Sequence, residues 1–203
     1  MQWHLIIFDL DGVLVDSRLN MQRAWDAVRQ ELAVSVDFEE YFARIGRPFA
    51  AILEELGLED RASEIEAVYR RVSLREHDCI EPYADVRETL KVLDARGVTL
   101  AVVTSKDAQR TSHVLELFPP VFASVVSPGP HLRGKPEPDQ LLAAMTACSA
   151  DPLRTVYIGD MAVDCWSANR AGIAYRHATW GYGSTPTGAI TLETITALVE
   201  GIE

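Results

Sequence analysis

Apolar positions fall along this chain in two rhythms. Trp3–Asp9, Thr99–Thr104, Phe122–Ser127 and Thr155–Gly159 are short, β-branched or aliphatic runs closed off by polar residues, Gly or Pro. Runs of that length and punctuation are what strands buried on both faces of a parallel sheet look like. Between them lie stretches of helical periodicity: Val86–Arg96 ended by Gly97, Ala108–Phe118 ended by Pro119-Pro120, Pro138–Cys148, and Val163–Ala171 ended by Gly172. Gly just past a helix supplies a left-handed cap, and Pro cannot continue the helix. Strand and helix alternating in this way predict an α/β fold with a doubly wound (Rossmann-like) parallel sheet.

The second rhythm occupies residues 16–82, where strand signal is scarce. Met21, Ala24, Trp25, Val28 and Leu32 recur at helical spacing, as do Ile52, Leu53 and Leu56, then Ile65, Val68, Tyr69 and Val72. The expected organisation is a core domain of residues 1–15 and 83–203 with an all-helical cap domain, 16–82, inserted directly after the first strand. A lid in that position would cover the carboxyl ends of the strands, where open α/β sheets bind ligands. The main irregular stretches are 127–134 and 180–186, rich in Gly and Pro.

Composition narrows the partners. The chain of 203 residues carries 19 Lys+Arg against 30 Asp+Glu, a formal charge of −11, and is 48% hydrophobic. Nucleic acids and anionic membrane surfaces select for clustered positive charge, so neither is expected as a partner. Cys79, Cys148 and Cys165 are odd in number and show no ligand spacing, so they read as small core residues in a reducing compartment. No apolar run reaches a membrane span and no signal-peptide pattern opens the chain. A soluble, cytoplasmic monomer or homodimer is expected.

Four motifs carry possible chemistry. Asp9 and Asp11 flank Leu10 at the end of the first strand, with Gly12 allowing a tight bend. Two neighbouring carboxylates can divide labour, one staying ionised and one shuttling protons; a solvated Asp-x-Asp-Gly turn is the simpler alternative. Thr104 and Ser105 close the next central strand, where a hydroxyl and a helix N-terminus can hold a phosphoryl oxygen; capping of that helix by Ser105 or Asp107 is the alternative. Lys135 stands in Gly134-Lys-Pro-Glu-Pro138, a stiff turn, in a chain with only three lysines. A fixed ammonium there would offset the charge of an attacking carboxylate and a phosphoryl group. Asp160 and Asp164 follow the strand Thr155–Gly159 and can face one pocket, unless they merely decorate a helix N-terminus. Oxygen-only ligands of this kind suit Mg²⁺ rather than zinc. All four motifs fall after segments read as parallel strands, and their convergence outweighs each taken singly.

Taken in order, Phe8-Asp-Leu-Asp-Gly-Val-Leu-Val-Asp-Ser17, Val103-Thr-Ser-Lys106, Gly134-Lys-Pro-Glu-Pro-Asp139 and Gly159-Asp-Met-Ala-Val-Asp164 resemble the four motifs of the haloacid dehalogenase superfamily. The likeness is to its phosphoglycolate phosphatase-like branch, whose helical cap follows the first motif. Thr179-Trp-Gly-Tyr-Gly183 is similar to that branch as well, while the cap matches only in layout. The resemblance implies a Mg²⁺-dependent phosphatase acting on a small phosphorylated metabolite. It implies Asp9 as the nucleophile that forms an aspartyl-phosphate, and Asp11 as general acid and base. Thr104 and Lys135 would bind phosphoryl oxygens. Asp9, the backbone carbonyl of Asp11 and Asp160 would hold the metal, with Asp164 as a further or supporting ligand.

The residues separate some relatives. Superfamily dehalogenases lack the second acid of the first motif, and Asp11 is present. Phosphonate hydrolases need a cap lysine, and residues 16–82 contain none. A phosphosugar mutase uses the same acids and stays an alternative, as does a non-enzymatic phospho-accepting module, although receiver domains place their acid pair first and lack a helical lid. In the cap, Ile45-Gly-Arg-Pro-Phe49 breaks two helices, and Arg47 is expected to contact an anionic part of the substrate or to sit solvated in the turn. Trp25 and Trp166 are expected in the core. His4, His77, His113, His131 and His177 show no ligand spacing, and Arg70-Arg71 reads as a solvated face. The substrate itself stays open: phosphoglycolate, a sugar phosphate, a nucleotide and pyrophosphate all fit.

Overall fold

In the computed structural model, which describes residues 3–200, the chain begins with β1 (Leu5–Phe8) and turns through β2 (Val15–Asp16). Four helices follow: α1 (Arg18–Leu32), α2 (Phe38–Phe42), α3 (Phe49–Glu55) and α4 (Ala62–Arg75). The chain returns through β3 (Glu81–Pro82) into α5 (Val86–Ala95), β4 (Thr99–Val103), α6 (Ala108–Leu115), β5 (Phe122–Val126) and α7 (Asp139–Ala147). It continues with β6 (Thr155–Gly159), α8 (Ala162–Ala171), β7 (Ala174–Ala178), β8 (Thr191–Leu192) and α9 (Ala197–Glu200).

The six-stranded sheet has the order β5-β4-β1-β6-β7-β8, and every pair is parallel. β1 is central because all four of its residues are fully buried. Its alternation feeds two cores. Ile6 and Phe8 join Leu100, Val102, Val156 and Ile158 beneath α5, whereas Leu5 and Ile7 join Ala101, Val103 and Tyr157 against α7 and α8. The register sets Phe8 opposite both Val102 and Ile158. Asp9, Thr104 and Asp160 therefore leave the sheet along one carboxyl edge.

The helical insert has a core of its own. Met21, Ala24, Trp25 and Val28 from α1 meet Ile52 and Leu53 from α3 and Ile65, Tyr69 and Val72 from α4. The Trp25 ring stacks on Tyr41 with centroids 4.3 Å apart, and its indole N–H donates to the Val36 carbonyl at 3.1 Å. The insert begins and ends at a two-strand antiparallel ribbon, Val15 opposite Pro82 and Asp16 opposite Glu81.

Several sequence expectations need correction. β5 is an edge strand whose residues alternate between exposed and half-buried, so it is not covered on both faces. β7 and β8 fall outside the apolar-run pattern, because Arg176 and His177 interrupt the apolar run in one and the other is only two residues long. Trp166 is 47% exposed. α8 packs through Val163, Asp164, Ser167 and Ala168, and Trp166 projects from the opposite side of the helix. The three cysteines are free and half-buried rather than core residues. Arg70 is not simply solvated, since it donates to Gln109 of α6 at 2.9 Å. Among the described residues no helix is long and apolar enough to cross a membrane.

Candidate active site

Three of the carboxylates predicted from sequence converge. Asp9, Asp160 and Asp164 are buried and each offers an oxygen within 4.8 Å of the others. Lys135 joins them from the loop between β5 and α7, a longer excursion than the other motifs make from their strands. Its ammonium, 1% exposed, lies 2.9 Å from Asp9 Oδ1 and 2.8 Å from Asp164 Oδ1.

The three acids are held differently. Asp164 has both oxygens engaged: Oδ1 by Lys135 and the Tyr157 hydroxyl (2.9 Å), Oδ2 by the Met161 N–H (3.0 Å). The last bond caps the start of α8, so the helix-terminus reading of Asp164 is also met. Asp9 Oδ1 accepts from the Leu10 N–H (2.8 Å) and is ion-paired with Lys135, and its Oδ2 accepts no hydrogen bond among the described residues. Asp160 accepts from the Tyr182 N–H at 2.7 Å through Oδ2, and its buried Oδ1 has no partner. Close backbone approach makes this pocket: a Cβ on Gly12, whose φ is +85°, would collide with the Asp160 carboxylate.

Such a cluster is electrostatically incomplete. At an effective dielectric of about 20, like charges at this spacing repel by roughly 3–4 kcal/mol per pair. One ammonium cannot offset three carboxylates. Burial pushes the Asp9 carboxyl up to about 7, partly countered by Lys135 and reinforced by Asp164. Burial, with the charges of Asp164 and Asp9, holds Asp160 well above the usual carboxylate range. Burial disfavours the Lys135 ammonium, but Asp164 and Asp9 outweigh it and keep the lysine charged. An orphaned buried carboxylate oxygen beside an uncommitted one, both hard donors, fits a small divalent cation such as Mg²⁺.

Asp11 faces elsewhere. Its Oδ1 accepts from the Ser17 hydroxyl at 2.5 Å and lies 3.0 Å from the ammonium of Lys106, which is itself buried. Thr104 is buried, its hydroxyl accepting from the Lys106 N–H at 3.1 Å and its carbonyl from the Gln140 amide at 3.1 Å. Ser105 does not cap α6; Asp107 does, accepting from the Arg110 N–H at 3.0 Å. The Ser105 hydroxyl instead donates to the Gly46 carbonyl of the insert at 2.7 Å. Arg47 pairs with Glu55. Asp11, Ser105, Lys106, Arg47 and Arg110 all line one cavity between the sheet edge and the insert. The sequence pattern does not single out Lys106, Arg110, Tyr157 or Tyr182 as site residues. Lys106, one of the chain's three lysines, lies inside the second motif and Tyr182 inside Thr179–Gly183, but nothing in the spacing marks Arg110 or Tyr157.

An α/β fold with a buried acid cluster along the carboxyl edge of its sheet and a helical insert after the first strand defines a class of enzyme. The chain belongs to the haloacid dehalogenase-like hydrolase family, whose model matches residues 6–177. It is 28% identical to the phosphoglycolate phosphatase of Aquifex aeolicus over 183 residues, covering 88% of this chain and 85% of that protein. It is 31% identical to the pyrophosphatase PpaX of Halalkalibacterium halodurans over 198 residues, covering 90% and 85%. Among solved structures, a haloacid dehalogenase-like hydrolase from Streptococcus pneumoniae shares the fold with a TM-score of 0.85 at 22% identity, over 99% of each chain.

Proposed function

We propose that this protein is a Mg²⁺-dependent phosphatase that hydrolyses a small phosphorylated metabolite through an aspartyl-phosphate on Asp9. The carrying observation is the uncommitted Asp9 Oδ2 beside the Lys135 ammonium and the orphaned Asp160 Oδ1. Relatives named phosphoglycolate phosphatase and pyrophosphatase support the reaction class. In this reading residues 16–82 act as a cap over the core of 1–15 and 83–203.

Asp9 Oδ2 attacks phosphorus as the bond to the leaving oxygen breaks, and Asp11 gives that oxygen its proton. Water then attacks the acyl-phosphate and returns a proton to Asp11, releasing phosphate. Asp11 has to turn from Ser17 toward the leaving group. Lys135 favours the ionised form of Asp9 and faces the phosphoryl oxygens, with Thr104 and Ser105 bounding the same edge. Asp9, Asp160 and the Asp11 carbonyl would hold Mg²⁺, which supplies electrostatic stabilisation of the phosphoryl oxygens. Asp164 serves through Lys135. Arg47, in the cavity wall, adds positive charge toward the substrate.

The test is hydrolysis of p-nitrophenyl phosphate by the purified protein. Turnover should require Mg²⁺, stop with EDTA, and fall about 10³-fold or more in Asp9→Asn. Undiminished turnover by Asp9→Asn would remove the nucleophile and this function with it.

A further inference from the structure

The cavity between sheet edge and insert carries a charge opposite to that of the chain. Arg47, Lys106 and Arg110 line it: Arg47 shares the single carboxylate of Glu55 with Arg44 behind it, Arg110 shares that of Asp107 with Arg70 behind it, and Lys106 pairs with Asp11. Five cations thus meet three carboxylates in a protein whose formal charge is −11. Arg110 is the best placed of the five. Its side chain is only 13% exposed, its Nε donates to Asp107 at 2.6 Å, and its guanidinium carbon lies 5.2 Å from the centre of the Tyr69 ring. Tyr41 donates to the Tyr69 hydroxyl at 3.0 Å, so the Tyr69 proton has no acceptor among the described residues. Arg110, Tyr41 and Tyr69 line the same cavity as Asp11. The outer guanidinium nitrogens of Arg110 and the Tyr69 hydroxyl form a ready donor set for an oxyanion, preorganised by packing and half-neutralised only by a shared carboxylate. The cavity is small, about 60 Å³. That is well below the ~150 Å³ that holds a benzene ring, so its enclosed part suits a leaving group of a few heavy atoms.

Resting on the phosphatase reading above, we infer that Arg110 with the Tyr41–Tyr69 pair forms a subsite for a second anionic group. The substrates selected are compact phosphate esters or anhydrides whose leaving group carries its own carboxylate or phosphate. Arg47, tied to Glu55 nearer the mouth, contributes field and not the direct contact.

The test uses two non-hydrolysable ligands, 3-phosphonopropionate and 3-hydroxypropylphosphonate, which differ only in a terminal carboxylate against a neutral hydroxymethyl. Calorimetric titration of the wild-type protein with Mg²⁺ should show the carboxylate ligand binding about tenfold or more tightly, as a charge-assisted hydrogen bond implies. Arg110→Gln should reduce that preference to about threefold or less, and Arg110→Lys should retain more of it than the glutamine variant does. No preference in the wild-type protein overturns the inference even if Arg110→Gln fails to fold. An unchanged preference in a folded Arg110→Gln overturns it too. Because neither ligand is turned over, failure of this subsite is distinct from failure of the phosphatase reading, which the p-nitrophenyl phosphate assay decides alone.

Discussion

Asp164 reaches the centre of the site through Lys135, whose ammonium stands 2.8 Å from it and 2.9 Å from Asp9. Tyr157 and the Met161 N–H occupy the rest of the Asp164 carboxylate. Asp160, by contrast, keeps one buried oxygen without a partner. In the proposed mechanism the two acids of the last motif therefore have different work: Asp164 fixes the lysine and Asp160 binds the cation. Asp160→Asn should weaken Mg²⁺ binding about 10–100-fold, and Asp164→Asn should weaken it less. Magnesium titrations of each variant by calorimetry check the order, and the reverse order would reassign the ligands.

Removing the Lys135 ammonium from among the three buried acids has a stability consequence. Lys135→Met preserves much of the side-chain volume over the Tyr157 ring but removes the charge that Asp9 and Asp164 face. Breaking a buried ion pair from one side costs about 3–5 kcal/mol. Urea unfolding in EDTA should show a loss of that order, and Mg²⁺ should restore more stability to the variant than to the wild-type protein. An unchanged urea midpoint would mean that the acids are already neutral when folded.

The pH dependence follows from Asp9. Its carboxyl is pushed up to about 7 in the folded protein by burial, from 3.8 in a free side chain. Between those values the folded state holds a proton that the unfolded state has lost. Stability of the metal-free protein should therefore fall as pH rises from about 4 toward about 7, and Asp160 acts in the same direction. Carboxylates paired with arginine, such as Asp107, are shifted down and act the opposite way, but only at lower pH. Thermal melts in EDTA between about pH 5 and 7 should show the decline. Saturating Mg²⁺ should flatten it, and Asp9→Asn should reduce it. Melting points that rise across that window would contradict the buried, cation-poor site.

Much of the fold was legible because parallel strands buried on both faces are written as continuous apolar runs. Leu5–Phe8, Thr99–Val103 and Thr155–Gly159 show it plainly, and their register carries Asp9, Thr104 and Asp160 to one edge. The edge strands were less legible, because half-exposed positions in Phe122–Val126 and polar ones in Ala174–Ala178 blur the pattern. Within the site, the clustered acids and Lys135 could be read from motif order. The Lys106–Asp11 pair could not, nor could the Arg110–Tyr69 approach across 41 positions of sequence. Those contacts depend on how the insert settles onto the core, and one-dimensional spacing holds no record of that. Arg47 illustrates the same limit: its place in the cavity wall was foreseeable, but its partner Glu55 was not.

Asp11 offers the sharpest chemical test. It lines the cavity assigned to the leaving group, and its Oδ1 rests between the Ser17 hydroxyl and the Lys106 ammonium. A proton delivered from there matters in proportion to the basicity of the departing oxygen. An alkoxide leaves poorly without it, whereas p-nitrophenolate needs little help. Asp11→Asn should therefore slow hydrolysis of an alkyl phosphate by about 10²–10⁴-fold and that of p-nitrophenyl phosphate markedly less. Asparagine keeps an acceptor for Ser17 and Lys106, so the local packing is largely preserved. Comparing kcat for the two substrates in the variant and the wild-type protein separates proton donation from simple damage to the site. Equal losses on both would take the acid role away from Asp11 and leave it as a partner that holds Lys106 in place.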